Sequence, residues 1–285
     1  PFVCADGYKI PKYEYRVRLP TRKEGYYVRD AKCEVDFASV KDTPCFELSE
    51  KVERRGTANV RTVRVMYKGK DVQKRLPSVL SDMFIVPEEF ELPNLTLSKY
   101  VEINSKFYPS FSMEMLDKSL AAFAMDKETN LAESSMGQRK KVFLCFALAT
   151  NTSLLLMDEP TNGLDIPSKS MFRKAVAECM TDERTIIVST HQVKDIENML
   201  DHVLIIDNSN VILNETMDDI SRKLRFEVER NTMPAADAIY SMQVGLDTLQ
   251  VLPCSDVSNE TPVNLEMLFN ATLANREGIN KVFNK

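Results

Sequence analysis

Apolar positions fall into no sustained rhythm before about residue 62 and into clear blocks after it. The first segment offers only β-leaning pieces, YEYRVRL and YYVRDAKCEVDF, broken by Pro11, Pro20 and Pro44. From residue 63 the text sharpens. TVRVMYKGKDV reads as a strand, a Lys-Gly turn and a polar exit, and SDMFIVPEEF as a short buried strand stopped by Pro87. Helical spacing of apolar residues follows in TLSKYVEINSKFY and SMEMLDKSLAAFAM, separated by Pro109. A third helix is expected to begin near Gly137 in ESSMGQRKKVFLCFALATN.

Strands and helices then alternate: strand LLLM (154–157), helix SKSMFRKAVAECM (168–180), strand TIIVST (185–190), helix QVKDIENML (192–200) and strand HVLIID (202–207). Solidly apolar strands interleaved with helices predict an α/β domain with a mainly parallel sheet flanked by helices. The tail carries FEVERN, DTLQVLP and a helix in VNLEMLFNATLAN, a small C-terminal α+β appendage. Three parts are expected: a β-rich segment over 1–62, a domain over 63–222 and an extension over 223–285.

Composition changes this picture little. The chain has 285 residues, 44% of them hydrophobic and 28% charged, with six scattered cysteines and two histidines. No CxxC pair suggests a disulfide framework or a zinc site, so a reducing, cytosolic compartment is expected. Apolar runs such as VFLCFALA are too short to span a bilayer, and no leader pattern stands at the start, so any membrane role needs helices from another chain. Residues 1–75 hold 18 Lys/Arg against 11 Asp/Glu, and the remainder 19 against 31. The basic residues are interleaved with acids, which describes a solvated surface and no nucleic-acid partner.

Candidate chemistry gathers where strands end. LLLMDEPTNGLD runs from four apolar residues straight into Asp158 and Glu159, followed by Gly163 and Asp165. Ligands of open parallel sheets bind at the carboxyl ends of the strands. Asp158, Glu159 and His191, each just past a strand's last apolar residue, are therefore expected on one rim. Gly137 and Gly163 are the only glycines between residues 70 and 244, and both lie inside these segments. Taken singly, Asp158-Glu159-Pro160 reads as a solvated strand exit, His191 and His202 as ordinary histidines, and Gln138-Arg139-Lys140-Lys141 as an exposed helix face.

The ordered set SSMGQ (134–138), LLLMDEP (154–160), TNGLD (161–165) and STHQ (189–192) resembles the signature motif, Walker B, D-loop and switch histidine of ABC transporter ATP-binding subunits. The resemblance covers roughly residues 63–222, and NLEMLFNATLANREGINKVFNK is similar to the C-terminal extension of subunits serving bacterial ABC-2 type exporters. It implies a P-loop NTPase-like fold with a helical subdomain over about 94–138. It also implies ATP and Mg2+ as cofactors, with Asp158 on the metal, Glu159 polarising the attacking water and His191 on the terminal phosphate. Ser135, Gly137 and Gln138 would form a helix N-terminus facing the nucleotide of an opposing subunit. Asp165 would reach across the dimer interface, and Glu88 stands near the Q-loop position.

The sequence departs from the family in one large respect: no GxxxxGK[ST] phosphate cradle is present. Gly56 is a lone glycine, and Gly69-Lys70 is followed by Asp71. In the signature, Ser134 and Met136 stand where the family has leucine and glycine, and Glu88 stands where it often has glutamine. The resemblance implies an ATP-hydrolysing subunit of a homodimer or heterodimer that drives separate transmembrane permease chains from the cytoplasmic face of the inner membrane. The alternative is a degenerate, non-hydrolysing regulatory or scaffolding partner of the same fold. A soluble ABC protein of translation or repair fits less well, because neither a second cassette nor a long coiled-coil insertion is written here.

Overall fold

The computed structural model describes residues 46–55, 58–207, 210–230, 233–254 and 261–283. The β-leaning pieces expected before residue 45 lie outside the described residues. The chain divides into two compact units, Lys70–Met199 and Pro1–Gly69 together with Leu200–Lys285. In the second of these, β1 (Phe46–Arg55) and β2 (Ala58–Tyr67) pair antiparallel as a long hairpin, with Phe46 opposite Tyr67.

The unit Lys70–Met199 is built on a parallel sheet in the order β3 (Met83–Val86), β4 (Leu154–Asp158), β5 (Thr185–Ser189). Met83 stands opposite Leu154, Leu154 opposite Thr185, and Asp158 opposite Ser189, so the strands end together at one edge. Leu154, Leu155 and Met157 of the central strand are buried, as expected of a strand covered on both faces.

Four helices of this unit are opened by a side-chain cap. Thr96 caps α1 (Leu97–Asn104), Ser112 caps α2 (Met113–Ala122), Ser135 caps α3 (Met136–Ala149) and Asp165 caps α4 (Ile166–Cys179). Helix α3 is the spine: every residue from Val142 to Ala149 is buried, so it is apolar on all sides and lies inside the unit. Phe146 is packed by Tyr100, Tyr108, Phe111 and Phe84 at ring-centroid distances of 5.1, 6.2, 5.3 and 5.8 Å. This cluster fixes the α1 region onto α3. Arg184 is buried at 5% exposure and donates to the carbonyls of Leu148 and Cys179, where α3 and α4 end.

Two expectations are corrected. QVKDIENML does not form an α-helix but two short 3-10 turns, Val193–Asp195 and Glu197–Met199. Its neighbours explain this: Lys169 of α4 bonds Gln192 and Asp195, and Arg173 takes the Asp195 carbonyl. Those bonds hold the segment in tight turns. HVLIID, expected as a further parallel strand, is β6 (His202–Asp207) and pairs antiparallel with β7 (Asn210–Thr216) in the other unit. Only two residues separate these strands, a connection that can join antiparallel neighbours and no parallel pair.

The rest of that unit is the expected α+β tail. After α5 (Met217–Lys223), strands β8 (Leu224–Arg230), β9 (Tyr240–Val244) and β10 (Asp247–Pro253) form an antiparallel sheet with β10 in the centre, followed by α6 (Leu265–Ala274) and α7 (Arg276–Val282). His202 bonds Asn214 at 2.7 Å, a structural role within the β6–β7 pair.

Candidate functional site

The carboxyl edge of the parallel sheet gathers the charged groups. Asp158 is the last residue of β4, and its Oδ1 accepts the Ser189 hydroxyl at 2.6 Å from the end of β5. Its side chain faces solvent. One residue on, the chain leaves the strand through Glu159, whose φ of 44° is left-handed. For a residue other than glycine that conformation costs roughly 1–2 kcal/mol, so the surroundings must hold it.

They hold it at three points. The Glu159 N–H donates to the Ser189 carbonyl at 2.8 Å. Its carboxylate is only 12% exposed. There Oε2 accepts the Thr190 hydroxyl at 2.8 Å, and Oε1 accepts the His191 backbone N–H at 2.8 Å and lies 2.6 Å from His191 Nδ1. Two lone pairs at that distance would repel, so the proton sits on Nδ1 and the imidazole donates. Finally, the Glu159 carbonyl accepts the Lys140 ammonium at 2.6 Å. The His191 side chain itself is 71% exposed.

The signature segment meets this edge through the turn that follows. Ser135 and Gln138 form a reciprocal capping box at the start of α3, with Ser135 N–H to Gln138 Oε1 at 3.0 Å and Gln138 N–H to Ser135 Oγ at 3.3 Å. A Cβ on Gly137 would stand 3.3 Å from the Gly163 carbonyl oxygen, so glycine there permits a close backbone approach. Gly163 itself has φ 78°. Asn162 donates to Glu88 Oε1 at 2.9 Å, which ties the loop after β3 to the same turn.

Asp165 ends that turn. Its Oδ1 accepts the Ser168 N–H at 2.8 Å as the cap of α4, and Lys141 approaches its Oδ2 at 3.4 Å. The hydrogen bonds from Ser168, and then Lys141, hold the Asp165 carboxyl below the usual carboxylate range.

Thus Asp158, Glu159 and His191 share one rim, Glu88 joins it through Asn162, and Ser135, Gly137 and Gln138 stand at the N-terminus of α3 against Gly163. The reading of residues 138–141 as an exposed helix face is corrected at Lys140, which is 4% exposed. The apolar run carried the missed signal: positions 143 and 144, three and four residues on, share its face of the helix, and both are buried. Burial pushes the Lys140 ammonium below the ordinary lysine value, against the opposing charges of Glu88, Glu159 and Asp158. Thr190 and Ser189 were also missed. Their hydroxyls became visible as carboxylate partners only once the strand ends were aligned.

The donors fit a magnesium ion in one respect. Among the described residues no cluster of three His, Cys, Asp or Glu side chains forms a self-sufficient metal cage. Mg2+ characteristically takes one or two protein carboxylates and completes its shell with water and phosphate oxygens, a part the exposed Asp158 carboxylate is placed to fill.

Comparison with known proteins bears on the family and the fold. Residues 46–194 match the family described as "AAA domain, putative AbiEii toxin, Type IV TA system". The chain belongs to this AAA-domain family. Among curated relatives, the AAA-domain chain is 24% identical to the ABC transporter ATP-binding protein YtrB of Bacillus subtilis (strain 168) over 230 residues, covering 72% of this chain and 77% of YtrB. It is 32% identical to NatA, an ABC transporter ATP-binding protein of the same organism, over 93 residues that cover 33% of this chain and 38% of NatA. Among solved structures, the ATP-binding subunit of an ABC transporter superposes with a TM-score of 0.52 at 19% identity, covering 62% of this chain and 92% of that one. The α/β fold is that of ABC ATP-binding subunits, as the motifs implied.

Proposed function

We propose that this chain is the ATP-binding subunit of an ABC transporter, binding ATP and Mg2+ at a dimer interface and hydrolysing ATP to drive transport through separate transmembrane permease chains. The observation that carries this reading is the convergence of Asp158, Glu159 and His191 on one sheet edge beside the capped N-terminus of α3. Asp158 offers the metal a hard oxygen. Glu159 is the water-activating base, held from the side by Thr190 and His191. His191, with its ring exposed, contacts the terminal phosphate. When bound, Mg2+ neutralises charge on the transferring phosphoryl group. Ser135 and Gln138 shape the helix start through their capping box, Gly137 presents its backbone N–H there to the nucleotide of a second copy or a related subunit, Asp165 reaches across that interface, and Glu88 serves at the Q-loop position.

In this reading residues 63–222 form the nucleotide-binding domain, with 94–138 as the helical subdomain that meets the permease, and residues 223–285 are an ABC-2 exporter-type extension. The subunit sits peripherally on the cytoplasmic face of the membrane, and the permease chains supply the membrane-spanning helices. A second reading, a non-hydrolysing regulatory partner, is favoured by one observation: GxxxxGK[ST] is not in the sequence. Nucleotide affinity and phosphate release, measured for the chain alone and with candidate partner subunits, separate the two. Binding with Glu159-dependent phosphate release supports the first reading, and binding without release in any pairing supports the second.

A further inference from the structure

We propose that Lys140 is a positioning residue for Glu159: its buried ammonium grips the Glu159 carbonyl and thereby fixes where the carboxylate of that residue stands. The catalytic consequence rests on the function proposed above, whereas the positioning itself does not.

The argument starts from the cost of the group. An ammonium at 4% exposure is expensive to bury, and such charges are normally neutralised by a carboxylate within ion-pair distance. Glu88, Asp158 and Glu159 all exert a field on it, yet its hydrogen bond goes to a backbone oxygen, at 2.6 Å. That oxygen belongs to the one residue of the edge with a left-handed φ. The next residue, Pro160, has no N–H, so it cannot anchor the turn from its own nitrogen. The proline also disfavours helical backbone in the residue before it. On the side of Pro160, Glu159 is therefore held through its carbonyl, and besides Lys140 that carbonyl accepts only the Asn162 N–H at 3.2 Å among the described residues. On the far side of the same residue, the carboxylate receives Thr190 and His191. Lys140, one turn into the helix that Ser135 and Gln138 cap, thus connects α3 to the carboxylate through a single residue, and it does so 19 positions away in sequence.

The test uses the full chain with Lys140→Met, which fills the same space without a donor, and Lys140→Gln, which keeps an N–H donor one bond short. Amide hydrogen exchange resolved to single residues is followed without nucleotide. In Lys140→Met the His191 amide, bonded to the Glu159 carboxylate, is expected to exchange at least about tenfold faster, a factor that corresponds to roughly 1.4 kcal/mol. Residues 143–149 of α3 keep their wild-type rates, and Lys140→Gln falls between. Wild-type exchange at His191 overturns the inference, and so does acceleration spread evenly through α3 and β3, which marks general loosening. Should Lys140→Met fail to fold, Lys140→Gln is judged by the same two criteria. In a second arm, with a partner subunit that supports turnover, Lys140→Met lowers kcat at least tenfold and leaves nucleotide affinity within about twofold. Absence of phosphate release from the wild type in every pairing overturns the hydrolytic reading, while the exchange result still decides the role of Lys140.

Discussion

Replacing Glu159 by glutamine separates the chemistry of the site from its architecture. The carboxylate receives the Thr190 hydroxyl, the His191 N–H and the His191 Nδ1–H, and it is 12% exposed. Glutamine has the same shape but one carbonyl oxygen, which can keep both His191 bonds, and one amide nitrogen, toward which the Thr190 hydroxyl can turn as an acceptor. Both His191 bonds keep an acceptor, the Thr190 O–H loses the one it had, and the charge assistance of three bonds is lost. Hydrogen bonds to charged groups contribute about 1.5–3 kcal/mol and neutral ones about 1, but the site also sheds the cost of a largely buried anion. The net expectation is a loss of about 1–2 kcal/mol, a lowering of Tm by about 2–8 °C. Turnover behaves differently. An amide cannot take a proton from water, so phosphate release at saturating ATP–Mg falls by about 10²–10⁴-fold, which is about 2.7–5.5 kcal/mol of barrier. Phosphate release and differential scanning fluorimetry on the same preparation, with nucleotide binding measured alongside, make the comparison. Release within threefold of wild type, with binding intact, refutes the role given to Glu159.

Phe146→Ala removes the ring on which Tyr100, Tyr108, Phe111 and Phe84 converge, and is expected to cost about 3–5 kcal/mol in urea unfolding followed by circular dichroism. Asp165→Ala lowers Tm at pH 7, and the difference from wild type shrinks as pH falls below about 3.9. The sign follows from the depressed folded-state pKa: the contribution is complete above the unfolded value and is lost as pH drops through the folded one. Melting curves at pH 7 and pH 3 check it. Burial raises the thiol pKa of both Cys145 and Cys179, so iodoacetamide with peptide mass mapping finds them unlabelled in the native protein and labelled after denaturation.

Most of the parallel sheet was legible in the sequence because LLLM and TIIV are short solid apolar runs, although only the central strand is buried as such a run implies, and Ile187 of β5 is 38% exposed. The positions of Asp158, Glu159 and His191 followed from the same signal, since a residue just past a buried strand lies on its carboxyl edge. HVLIID carries an equally apolar pattern, and what sends it to another partner is the brief connection to VILNET, which periodicity alone does not weigh. QVKDIENML has acceptable helical spacing, but Lys169 and Arg173 draw its backbone into 3-10 turns. Those contacts come from residues about twenty positions upstream. Lys140 was hidden for a third reason: a lysine beside Arg139 and Lys141 looks like solvated charge, and only the depth of α3 in its unit reveals otherwise.

An ionised carboxylate offers about four acceptor lobes. On Glu159, among the described residues, His191 donates to Oε1 twice and Thr190 to Oε2 once, so one lobe of Oε2 is not used by these neighbours. In the function proposed above, an attacking water would meet Glu159 from that one direction, because any other approach must first evict the imidazole or the hydroxyl. On that proposal the neighbours of this acid would set aim as much as give support.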